Sequence, residues 1–116
     1  MRNTLPLLLL ALAMPTVARS QGVTPPASLE ARRMVSYGTT RAMLDACGVT
    51  LTEAQSKRLD KGIQDSTKAQ RELTPLEYSQ VMKGVSDMLD RHRKDICATI
   101  EPRDVQSMLD KAANGE

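Results

Sequence analysis

The chain is 116 residues long and 41% apolar, with no phenylalanine or tryptophan, two tyrosines, two cysteines, and sixteen basic against fourteen acidic side chains. That length holds one domain at most, and so aromatic-poor a chain has little with which to stack on sugars or single-stranded bases. The formal charge of +2 belongs to the whole chain, and its first twenty residues change it.

Residues 1–20 set a basic Arg2 before an apolar run from Leu5 to Val17, with small residues following at Ala18 and Ser20. This is the layout of a secretory signal peptide. The run of about 13 residues, interrupted by Pro6 and Pro15, falls short of the roughly 20 that a spanning helix needs, which predicts export to the periplasm or beyond without an integral membrane anchor. Cleavage is expected after Ala18 or Ser20. Removing residues 1–20 takes Arg2 and Arg19 away and leaves fourteen basic side chains facing fourteen acidic ones. A neutral chain whose longest basic run is Arg91-His92-Arg93-Lys94 offers no electrostatic case for nucleic acid or anionic membrane surfaces. Only 17 of its residues are Leu, Ile or Val, a lean core that calls for a staple. In an oxidising compartment Cys47 and Cys97 have one intramolecular pairing open to them. Closing that loop is worth roughly 4 kcal/mol on the chain-entropy model. Neither cysteine belongs to a C-x-x-C unit, and His92 is the only histidine, which places redox or metal roles behind the structural one.

Residues 21–27 read as a flexible leader, and 28–116 as a single helical domain. Helix one begins at the N-cap Ser28 and ends near Cys47-Gly48, with Gly48 as a left-handed C-cap. Ala31, Val35, Gly38, Ala42 and Ala46 form a stripe of small residues along it, flanked by Met34, Met43 and Leu44, that admits a close neighbour or a second copy of the chain. Thr52 to Gln55 is a capping box opening a second helix that runs to about Leu73. This helix is the poorest amphipath, with Leu59, Ile63 and Leu73 its only large apolar groups, and Glu53/Lys57, Lys61/Asp65 and Lys68/Glu72 are spaced as i,i+4 ion pairs. Thr74-Pro75-Leu76-Glu77 is the strongest local signal, a second capping box with proline at the first helical position. Helix three follows, with Tyr78, Val81, Met82, Val85, Met88, Leu89, His92 and Ile96 on one stripe, and reads as the core helix. Glu101-Pro102 marks a break before a short last helix that turns Val105, Met108, Leu109 and Ala112 inward. The fold class is therefore all-α: three longer helices and a short C-terminal one, stapled by one disulfide between the ends of helices one and three.

Chemistry is scarce. His92 on an apolar stripe reads first as a core-edge side chain; the sharper reading is a pH-sensing group, since burying imidazole neutral would weaken the fold as the medium acidifies. Asp87 and Asp90, three apart on a face shared with Lys83, Arg91 and Lys94, read as a screened surface rather than a glycosidase pair. There is no H-E-x-x-H, EF-hand loop, cysteine cluster or phosphate-cradling glycine run, so no metal and no cofactor is expected. Met34, Met43, Met82, Met88 and Met108 supply core volume in place of Phe and Trp. These features predict an exported, non-enzymatic protein that binds a protein partner, as a periplasmic inhibitor, adaptor or immunity-type factor does. In gross architecture, a small exported helical chain with one disulfide, the sequence also resembles acid-stress chaperones of the HdeA type. That resemblance implies the alternative function, a periplasmic stress chaperone with pH-dependent partial unfolding.

Overall fold

Each helix starts where its capping residue dictates. In the computed structural model, which describes residues 26–116, the Ser28 hydroxyl accepts from the Ala31 amide and opens α1 (Leu29–Ala46). Thr52 and Gln55 exchange their side chain–backbone bonds at 3.1 and 2.9 Å at the head of α2 (Glu53–Ala69). Thr74 and Glu77 do the same for α3 (Pro75–Ala98). A 3-10 turn at Pro102–Asp104 then leads into α4 (Val105–Ala113). Beyond α1, Gly48 adopts φ +65°, the left-handed cap that only a residue without Cβ takes freely. The expected signal peptide and residues 21–25 of the leader lie outside the described residues.

Helix α1 is the hub: α2, α3 and α4 all pack on it, α2 also meets α4, and among the described residues α3 touches no other helix. The core gathers Tyr37 and Leu44 of α1, Leu59 of α2, and Val105, Leu109 and Ala112 of α4, with Val49, Leu51, Ile63, Ile100 and Met108 packed around them. No α3 side chain belongs to it. Helix three is thus not the core helix that its stripe suggests. Leu89 is buried, whereas Tyr78, Val81, Met82, Val85, Met88 and Ile96 are half-buried.

Two glycines set how closely the helices approach, and each faces one of the two tyrosines. A Cβ at Gly62 of α2 would stand 2.3 Å from Tyr37 Cζ, and one at Gly38 of α1 would stand 2.2 Å from Tyr78 Oη. Each tyrosine therefore sits where a bare backbone leaves room, Tyr37 in the core against α2 and Tyr78 between α3 and α1. The Tyr78 phenol is pushed above its ordinary range by burial, against the opposing charge of Arg41.

Helix α2 stops at Ala69 rather than Leu73. The cause is Gln70, whose Oε1 accepts from the amides of Glu72 and Leu73 and whose Nε2 donates to the Leu73 carbonyl at 2.9 Å. Arg71 meanwhile donates to the Lys68 carbonyl at 2.6 Å, satisfying an end of the helix. The early stop frees Glu72 from the expected pair with Lys68. Glu53/Lys57 and Lys61/Asp65 do form, at 3.2 and 2.7 Å, on the exposed face.

The disulfide joins Cys47 to Cys97 with their Cα atoms 5.2 Å apart. Cys47 is the cap of α1 and Cys97 lies in the last turn of α3, so the bond ties two helix C-termini and the two helices run in the same direction. Just before it α3 breaks at His92, where φ −123° and ψ 18° leave the helical region.

Candidate functional site

Four polar clasps lock the helices together. Glu72, released by the turn at Gln70, accepts from the Ser28 and Ala27 amides at 2.8 and 2.9 Å. A carboxylate there satisfies amides at the head of α1 and favours its positive end. Those bonds, Ser28 foremost, and Arg32 nearby hold the Glu72 carboxyl below the ordinary carboxylate range. The last residue of the expected leader is thus tied to the domain. Arg33 donates to the Ala113 carbonyl at 2.6 Å, placing a cation at the negative end of α4. Arg58 reaches Asp110 at 2.8 Å between α2 and α4, and Arg41 pairs with Asp60 between α1 and α2.

What these clasps leave open is α3. Among its 24 residues Leu89 alone is buried. Val81, Met82, Val85 and Met88 are half-buried along one stripe, and Leu76, at the start of the helix, is 68% exposed. The flank of α3 away from the stripe is charged: Lys83 pairs with Asp87 and Arg93 with Asp90. Such a helix presents a thioether- and valine-lined band with a polar rim, a surface suited to packing against another apolar face. A second feature is an open groove of about 300 Å³ along α1 and α4, lined by Val35, Ser36, Thr39, Met43, Met108 and Lys111 among others. Its lining supplies methyl, thioether and hydroxyl contacts.

His92 is exposed at the break in α3. The burial on which a pH-sensing role would rest is absent at this position. Asp87 and Asp90 line a shallow hollow with Arg91, an acidic pair with a cation beside it, as the spacing implies. Among the described residues no three His, Cys, Asp or Glu side chains converge to hold a metal ion, and no helix is long and apolar enough to cross a membrane.

Sequence reasoning missed Tyr37, Gln70 and Glu72. The first was legible in part: Met34, Tyr37, Arg41 and Leu44 recur at helical spacing, a second face of α1 beside the small-residue stripe. Glu72 carried no such signal, since its partners at Ala27 and Ser28 stand more than forty residues away. No family model, characterised protein or solved structure matches the chain.

Proposed function

We propose that this chain is an exported, non-enzymatic binding protein, of the inhibitor, adaptor or immunity-factor kind, that engages a protein partner through the apolar band of α3. One observation carries the reading: a long amphipathic helix that packs on a single described neighbour and leaves its apolar stripe only partly covered. A disulfide between helix ends fits the oxidising compartment to which the N-terminal segment directs the chain. A photo-crosslinking residue at Val81 or Met88 is expected to give one discrete adduct in the envelope of the producing cell, abolished by Val85→Asp. The same residue at Gln64, on exposed α2 surface, is expected to give none. Equal labelling from α3 and Gln64, or a turnover in the purified protein that disappears in His92→Ala, overturns the reading.

The alternative, a stress chaperone that loosens in acid, draws on the clasp at the head of α1. Glu72 and Glu77 both accept amide bonds that hold their carboxyls below the ordinary range. A carboxyl depressed in the folded state stabilises above its unfolded pKa, and that contribution disappears as pH falls through its folded pKa. Glu72→Gln is therefore expected to lower the thermal midpoint at pH 7, and the gap to wild type should close as the medium passes below the ordinary carboxylate range. Melting curves followed by circular dichroism from pH 7 to 2 measure it; a gap of constant size would show that the clasp contributes nothing to acid sensitivity.

A further inference from the structure

Helix α3 is a handle fastened at its ends. Its N-terminal part sits on α1 through Tyr78 and Met82 over Gly38, and its last turn is bound to α1 by the Cys47–Cys97 disulfide. Between these points Leu89 is the one buried side chain. The cluster around Tyr37, Leu44 and Leu109 is assembled from α1, α2 and α4 without an α3 side chain. Immediately outside the handle the chain is secured on both sides without its help: Gln70 stitches the preceding turn, and Ile100 packs on the core. Opening α3 would turn this stretch into a surface loop with anchored ends, and the entropic cost of such a loop grows only with the logarithm of its length.

We propose that the Cys47–Cys97 bond is a redox latch on α3: while it is intact the helix is held against the small-residue face of α1, and its reduction by a dithiol releases α3 while α1, α2 and α4 remain folded. A thiolate of the dithiol attacks one sulfur of the bond, forming a mixed disulfide and expelling the other cysteine as thiolate. The second thiolate of the reductant then closes its own disulfide and expels the first cysteine. Two electrons pass to the Cys47 and Cys97 sulfurs, and the two protons of the dithiol end on them as thiols. Both cysteines are half-buried rather than enclosed. Release uncovers Gly38 of α1 and Tyr78, Met82 and Leu89 of α3. The latch is a property of the fold and holds whether or not α3 binds a partner; where it does, reduction sets how much of the apolar band is free.

The test uses the processed full-length chain with and without dithiothreitol, and the Cys47→Ser/Cys97→Ser variant without reductant. A freed helix of this length is marginal in water, so reduction is expected to remove about a third of the helical ellipticity at 222 nm, the share contributed by the 24 residues of α3 beside the 18, 17 and 9 of α1, α2 and α4. Hydrogen exchange is expected to show α3 amides losing protection while those of α1, α2 and α4 keep it. The double variant should match the reduced protein. Unchanged ellipticity and exchange in α3 overturn the proposal, and so does loss of protection in all four helices together.

Discussion

Leu44→Ala is expected to lower the free energy of unfolding by about 2–5 kcal/mol, and Val85→Ala by less than about 1 kcal/mol. Leu44 is 1% exposed and packs with Tyr37, Leu59 and Leu109 where three helices meet. Deleting its three outer carbons there forfeits their transfer energy and leaves a cavity that three backbones cannot close. Val85 lies on the stripe of a helix with one neighbour, so truncation removes half-covered surface and water fills the space. Urea denaturation followed by circular dichroism measures both. Equal losses would place α3 in the core after all. The contrast matters for function, because a band that contributes little to folding is free to serve as a contact surface.

The second expectation runs against helix propensity. Alanine is a better helix former than glycine by about 1 kcal/mol in a helix interior, so Gly62→Ala in α2 would stabilise the protein if propensity decided. The packing decides otherwise. An added Cβ would meet three ring atoms of Tyr37 at 2.3, 2.5 and 2.6 Å, and that ring is buried in the core. Overpacking typically costs about 1–3 kcal/mol and sometimes more, enough to exceed the propensity gain and leave Gly62→Ala net destabilised. Combining it with Tyr37→Leu should cost less than the two separate losses added together, because the shorter side chain vacates the space the methyl enters. Gly38→Ala should cost less than Gly62→Ala, since it meets the outer end of half-buried Tyr78 and the flexible Met82 thioether. A stabilised Gly62→Ala protein would show that Tyr37 yields at no cost.

Much of the architecture was legible in the chain because it is written locally. Ser28, Thr52 and Thr74 cap helices within four residues of themselves, and Gly48 ends α1 by its own φ. The stripes that make these segments helical repeat at a period set by backbone geometry alone. The two cysteines admitted one pairing, and the structure contains it. The end of α2 was less legible: a side chain that staples the next three residues, as Gln70 does, has no periodic signature.

What the sequence by itself determined is therefore the all-α class of the described residues, the starts of α1, α2 and α3, and the disulfide, each fixed by interactions a few residues long or by a choice with one member. Only the tertiary structure decided which helix is central. A stripe reports that a helix has a side to bury, but the depth of burial depends on how many neighbours cover it, and that is a property of three-dimensional arrangement. The stripe of α3 is the longest in the chain and faces one helix; the face of α1 carrying Tyr37 and Leu44 is less conspicuous in sequence and lies among α2 and α4. For the same reason the apolar surface left open, on which the proposed binding function rests, became visible only once the helices were packed.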